Sequence, residues 1–263
     1  MSFLSIDQIE HVYFTIEQAT KVLEDVSISV EEGEFISLLG PSGCGKTTLL
    51  SIIAGLLTPT GGQVKLEDKS PKQAKEDIGY MLQQDYLFPW KTIEENILLG
   101  LKVTDTLTEE NKIHTIQLLS KMGLENVEKL YPSQLSGGMR QRVALVRTLA
   151  TNPKLLLLDE PFSALDFQTK LKLEDLVHTT LKTINKTAIL VTHDIGEAIA
   201  MSDRIFLLKA NPGSVAKTFI VPEEIRKIKP FEARQHPQYA ELFQKIWKEL
   251  EHLETAAKHQ TPS

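Results

Sequence analysis

The 263-residue chain has a single cysteine, Cys44. It can therefore close no internal disulfide, and its fold has to rest on a packed core in a reducing compartment. Long apolar runs are missing as well. No stretch of eighteen apolar residues occurs to span a membrane, and no basic-then-apolar leader opens the sequence, so the expectation is a chain that stays in the cytoplasm. Basic residues are not in excess: the net charge is -6, which argues against nucleic acid or an anionic lipid surface as the main partner. Repeats and low-complexity tracts are lacking, and the Lys/Glu-rich segments read as solvated faces. What is present is 41% hydrophobic content, enough for one good-sized core or a core carrying a subdomain.

The stretch Gly40-Pro41-Ser42-Gly43-Cys44-Gly45-Lys46-Thr47 fits the phosphate-loop spacing of a glycine, four free positions and Gly-Lys-Thr. A polyphosphate needs backbone N–H groups turned toward it, and glycines at 40, 43 and 45 let the chain approach. Lys46 reaches the β- and γ-phosphates as a point charge, the Thr47 hydroxyl is placed for Mg²⁺, and the following helix points its positive end at the anion. Thr48 adds a further hydroxyl. Phe35 to Leu39 before the loop is apolar and β-forming, and Leu49 to Gly55 after it is helix-like, so strand, loop and helix come in the required order.

Alternating residues from Phe3 to Phe14 and from Leu23 to Val30 predict half-buried strands. Gln63–Leu66 and Ile78–Leu82 predict two more. From about Thr92 to Leu130 the pattern turns helical, which predicts an inserted helical subdomain. Strand signals return at Leu155–Leu158, Ala188–Val191 and Ile205–Leu208, separated by helix-length segments, so a parallel sheet is expected. The apolar run Leu155–Leu158 ends in Asp159-Glu160. In a phosphate-loop protein an acid at such a strand end holds Mg²⁺ and a second takes a proton from water, which assigns Asp159 to the metal and Glu160 to the general base.

Leu135-Ser136-Gly137-Gly138-Met139-Arg140-Gln141-Arg142 resembles the signature motif of ATP-binding cassette (ABC) ATPases. The other family motifs stand in order: Gln83 as the glutamine loop, Ser163-Ala164-Leu165-Asp166 as the D-loop, and His193 as the switch histidine. Tyr13, or its neighbour Phe14, matches the aromatic residue that stacks on adenine. Met139 departs from the glutamine usual after the second glycine. The resemblance implies a P-loop NTPase, RecA-like α/β core with an N-terminal antiparallel β subdomain and an inserted helical subdomain at about 87–152. The nucleotide-binding domain would cover 1–222, followed by a short helical extension at 223–263.

The resemblance also implies that ATP and Mg²⁺ are bound. Gly40, Pro41, Ser42, Gly43, Cys44, Gly45, Lys46, Thr47, Thr48 and Tyr13 would hold ATP, with Ser136, Gly137 and Gly138 closing from the second copy of a head-to-tail homodimer. Thr47, Gln83 and Asp159 would serve the metal, and Glu160, His193, Gln83 and Lys46 catalysis. The run Tyr86 to Thr92, then Glu95-Asn96, and Pro212-Gly213 resemble the nitrate, sulfonate, taurine and thiamine-precursor importers. That implies an ATPase coupled to solute transport at the cytoplasmic membrane face, working with two integral-membrane permease subunits and indirectly a solute-binding protein. The other class kept open is an ABC-type ATPase with a non-transport role, such as a nucleic-acid clamp, whose usual long coiled coils and zinc modules find no room here.

Three further expectations concern single features. Cys44, near a helix N-terminus, is expected to have a lowered thiol pKa and to react with alkylating agents, against the alternative of an inert buried residue. Tyr239, Leu242, Phe243, Ile246, Trp247, Leu250 and Leu253 lie on one face of an amphipathic helix that either packs on the core or meets a second copy. Leu87, Phe88, Pro89 and Trp90 either present an apolar docking surface or pin the helical subdomain to the core.

Overall fold

The computed structural model describes residues 2–16 and 18–258; the last five positions of the extension expected at 223–263 lie outside the described residues. Alternation builds the first sheet. β1 (Leu4–Phe14) and β2 (Ala19–Val30) pair antiparallel, and β4 (Gly61–Leu66) joins the other edge of β1. Their inward residues Leu4, Ile6, Ile9, Leu23, Val26, Ile28 and Val30 are buried. These close over α1 (Lys46–Ile53), which follows the phosphate loop.

The second sheet has six strands in the order β5 (Ile78–Met81), β6 (Leu155–Asp159), β7 (Thr187–Thr192), β3 (Phe35–Leu39), β8 (Arg204–Lys209) and β9 (Ser214–Ile220). The first five are parallel, as expected, and β3, β6 and β7 are buried along their whole length. Strands buried on both faces read as continuous apolar runs. The antiparallel edge strand β9 was not foreseen in the sequence, because most of its residues are exposed or half-buried and it is specified by pairing with β8.

Between β5 and β6 lies the helical insertion: α2 (Ile93–Ile97), α3 (Leu99–Val103), α4 (Glu109–Lys121) and α5 (Gly137–Leu149). Thr92 caps α2 in a reciprocal pair with Glu95, and Thr108 caps α4. After β6 come α6 (Phe167–Thr183) and, after β7, α7 (Ile195–Met201). Beyond β9 the described residues form α8 (Glu223–Arg226), α9 (Pro230–Ala233) and α10 (Pro237–Lys258). Leu242 and Ile246 of α10 are buried against α7 and β8 residues such as Ile199 and Leu207. The amphipathic face therefore packs on the chain's own core, while Trp247 stays 53% exposed beside Phe243.

Register positions the site. Leu39 pairs with Thr192, and Asp159 pairs with Val191. The residues that follow these strand ends, Gly40, Glu160 and His193, are thereby delivered to one end of the sheet, where open α/β sheets bind their ligands.

Candidate functional site

The phosphate loop turns out of β3 into α1. Gly45 has φ 89°, and a Cβ there would lie 2.5 Å from Leu23 Cδ2, so both conformation and space require glycine. Gly40 is needed for space alone, since a Cβ would stand 2.7 Å from the Leu208 carbonyl oxygen. The Lys46 ammonium is buried inside the loop, donating to the carbonyls of Gly40 (2.7 Å) and Pro41 (2.9 Å).

Thr47 Oγ donates to Asp159 Oδ1 at 3.3 Å, and Tyr80 donates to Asp159 Oδ2 at 3.4 Å. Burial raises the Asp159 carboxyl above the ordinary range, with Glu160 adding to the effect and the Thr47 and Tyr80 hydrogen bonds opposing it. Tyr80 is itself pushed up to about 12 by burial and by Asp159. Thr47 and Asp159 thus bring a hydroxyl and a carboxylate face to face, both hard oxygen donors of the kind magnesium takes.

Glu160 follows in the left-handed region, at φ 46°. Its backbone N–H donates to Val191 and its carboxylate sits between two partners. Gln83 Nε2 donates to one oxygen at 3.3 Å, and His193 Nδ1 lies 3.3 Å from the other. Gln83 also reaches Ser163 Oγ at 3.4 Å. Gln83, Glu160, Ser163 and His193, distant in sequence, are therefore brought together, and the Gln83 amide contacts Glu160 rather than the Thr47–Asp159 pair.

Tyr13 reaches α1, its hydroxyl 3.4 Å from Thr48 Oγ, and it is braced edge-on by His11. Phe14 is 75% exposed. The geometry puts Tyr13, not Phe14, beside the phosphate-loop helix.

Ser136 caps α5 by accepting from Met139 N (3.3 Å). Gly137 shares a cleft with Gln83 and with Ser163 to Leu165. Gly138 is buried against Thr169, where a Cβ would come within 2.6 Å of the methyl. Among the described residues no side-chain hydrogen bond joins this triplet to the phosphate loop of the same chain.

Cys44 corrects its expectation. It is fully buried, and burial raises the thiol pKa despite the Lys46 ammonium 3.6 Å away. The helix terminus is outweighed because the β8–β9 hairpin closes over the loop, with Gly213 bonded to Val22 and a Cβ at 213 only 2.1 Å from the Cys44 carbonyl oxygen.

Sequence reasoning missed what holds the segment after Gln83. Three residues of α5 grip it: Gln141 donates to Gln83 O (3.1 Å), Arg140 Nε pairs with Asp85 (2.9 Å), and Arg147 donates to Asp85 O (2.6 Å) and Tyr86 O (2.8 Å). Asn96, fully buried, accepts from Phe88 N (2.8 Å) and donates to the carbonyls of Phe88, Lys91 and Thr92. The signal was the polar run Arg140-Gln141-Arg142, with Arg147 beyond it, interrupting a helix whose Val143 to Val146 are buried. On the surface so held, Trp90 is 70% exposed and packs edge-on against Phe88 (5.4 Å). Phe88 in turn lines a groove of about 600 Å³ with Tyr86, Leu99, Val103 and Arg147.

Residues 23–163 match the family model described as ABC transporter. The chain is 63% identical, over 97% of its length and 98% of the relative's, to an uncharacterised ABC transporter ATP-binding protein of Bacillus subtilis. It is 40% identical to the aliphatic sulfonates import ATP-binding protein of Bacillus licheniformis, over 90% of this chain and 89% of that one. It is also 40% identical to the taurine import ATP-binding protein of Escherichia coli O157:H7, over 84% and 90%. Its fold is similar to a solved dimeric, post-hydrolysis state of an ATP-binding cassette bound to ADP and Pi. The TM-score is 0.74 and the identity 33%, covering 83% of this chain and 99% of the other.

Proposed function

Since the chain belongs to the ABC transporter ATP-binding family, we propose that it is the ATP-hydrolysing subunit of an importer, closing head-to-tail with a second copy around two ATP molecules. The observation that carries this is the grouping of Gln83, Glu160 and His193 beside the loop that holds Lys46.

Lys46, now bonded to two carbonyls, exchanges them for phosphate oxygens. Glu160 takes the proton of the attacking water, while Gln83 and His193 hold its carboxylate from two sides. The half-site is incomplete in one chain. Its missing donors are the N–H groups and positive end of α5, supplied from Ser136, Gly137 and Gly138 of the second copy. Tyr13 stacks on the base.

Among the described residues no group of three or more His, Cys, Asp or Glu could hold a metal. Thr47 and Asp159, whose oxygens lie 3.3 Å apart, are instead the residues that would hold a magnesium ion, which usually takes one or two protein oxygens and leaves its other positions to substrate and water. A magnesium ion held there would supply positive charge next to the transferred phosphoryl group.

Among the described residues no helix is long and apolar enough to cross a membrane. The relatives named as import ATP-binding proteins support a reading in which the chain works with separate permease subunits at their cytoplasmic face. The groove that Phe88 lines, with Trp90 packed on Phe88, is the docking surface. Importing relatives named for aliphatic sulfonates and for taurine support a small solute of that kind, delivered to the permease by a binding protein. The clamp alternative is weakened by an insertion whose longest helices have 13 residues.

Glu160→Gln tests the chemistry. It keeps the shape and removes the base, so steady-state hydrolysis should fall by about 10²–10⁴-fold, with ATP still bound and the dimer trapped on a sizing column. Near-normal turnover would refute the assignment of Glu160.

A further inference from the structure

The His193 ring is 60% exposed and lies beside Glu160, so its placement depends on the backbone at Thr192–Asp194. That backbone is pinned from beneath. Thr192, buried, accepts from Asp194 N at 3.0 Å and donates its own hydroxyl to Glu197. Asp194 caps α7, its Oδ1 accepting from Gly196 N (2.7 Å) and Glu197 N (3.1 Å). Its other oxygen accepts from Lys170 Nζ at 2.6 Å, and the same ammonium meets Glu197 Oε1 at 2.5 Å.

One cation from α6 thereby joins the two carboxylates that frame the switch loop. The helix carrying it begins at Asp166, its N-cap, directly after Ser163-Ala164-Leu165. Lys170 is 17% and Glu197 4% exposed, so that pair is largely removed from water and strong enough to fix geometry, while the Asp194 side chain is 38% exposed and is held by its two backbone hydrogen bonds as well as by Lys170. The remaining charges around the cluster are accounted for. Glu174 of α6 is fully buried and faces Arg234, the residue after α9, whose Nη2 lies 2.6 Å away without the angle of a hydrogen bond. Tyr239 of α10 stands against Gly196. Arg234 thus serves Glu174 and leaves Lys170 to Asp194 and Glu197.

We propose that Lys170 is a positioning residue for hydrolysis: it clamps Asp194 and Glu197, holds the His193 ring against Glu160, and ties that placement to the helix entered through Ser163–Asp166. The proposal rests on the ATPase reading, and the experiment separates the two. ATP turnover of the full-length chain, with Glu160→Gln as the inactive control, tests the reading first. If wild type shows no turnover above that control, the reading fails and the role of Lys170 with it.

If wild type turns over, Lys170→Met should lower kcat by ~10–100-fold, the loss expected for a small misplacement of a reacting group, with little change in KM for ATP. Lys170→Arg should restore most of it. Because Lys170→Met strands a buried carboxylate, the charge-balanced Lys170→Met/Glu197→Gln variant guards against a folding failure. It should melt near wild type yet stay slow, since Asp194 still lacks its cation. The His193 ring resonance should shift in both. A folded variant with wild-type kcat, a loss confined to KM, or an unmoved ring resonance would overturn the proposal.

Discussion

Glu160 occupies a conformation, φ 46°, that costs a non-glycine residue on the order of 1–3 kcal/mol, and it does so directly after a strand buried along its length. The turn aims the carboxylate between Gln83 and His193 instead of continuing the strand. Cys44 shows the opposite balance, with packing overriding local electrostatics. Its burial and raised pKa predict that a maleimide labels the folded chain slowly and the denatured chain fast. Rapid labelling of the native protein, prevented by MgATP, would show that the loop opens and exposes the thiol. The contrast explains what was readable at this scale. The placement of Lys46, Thr47, Asp159 and Glu160 at one end of the sheet was legible because it depends on short spacing and on a strand end. The state of Cys44 was not, because Gly213, which closes over it, lies 169 positions away in sequence (213 minus 44).

α6 carries two buried titrating groups that oppose each other. Burial raises Glu174 from 4.5 to about 7, tempered mainly by Arg234. Burial, helped by Lys182, lowers His178 from 6.5 to about 4. For Glu174 the folded chain binds more protons than the unfolded one between about pH 4.5 and 7, so its contribution to stability is present in acid and falls as pH rises through that window. For His178 the unfolded chain binds more protons, so its contribution falls as pH drops from 6.5 to 4. Each shift corresponds to roughly 3 kcal/mol at most, and in wild type the two nearly cancel. Glu174→Gln should therefore lose stability on acidification from pH 7 to 4.5 relative to wild type, and His178→Gln should gain it. Urea titrations at several pH values check this, and parallel curves for all three proteins would contradict it. At this scale the apolar strands and the helical insertion after them were legible from the residue pattern, though the caps at Thr92 and Thr108 were not. The strand β9 and the residues of α5 that grip the Gln83 segment were not, since both depend on partners brought close only by the fold.

At the scale of the whole molecule, an ATPase subunit is useful to a transporter only if the nucleotide end of the sheet is mechanically joined to a surface that a permease can hold. The structure has such a join. Gln83 touches Glu160, its carbonyl is fixed by Gln141, Arg147 holds the next turn, and Asn96 locks the loop that presents Phe88 and Trp90. The alternative, that the aromatic pair pins the helical subdomain to the core, does not describe Trp90, which is 70% exposed. Leu87, buried at 7%, does that packing. An exposed indole packed on Phe88, which itself lines the neighbouring groove, resembles the anchors that dominate interfaces. Trp90→Ala should therefore weaken binding to the permease by about 2 kcal/mol or more, while the free subunit keeps its melting temperature, ATP affinity and basal turnover. In reconstituted vesicles, solute uptake and its stimulation of hydrolysis should fall together. If the variant instead melts early and loses ATP affinity while still joining the membrane partner, Trp90 belongs to the packing of the insertion, and the docking surface lies elsewhere.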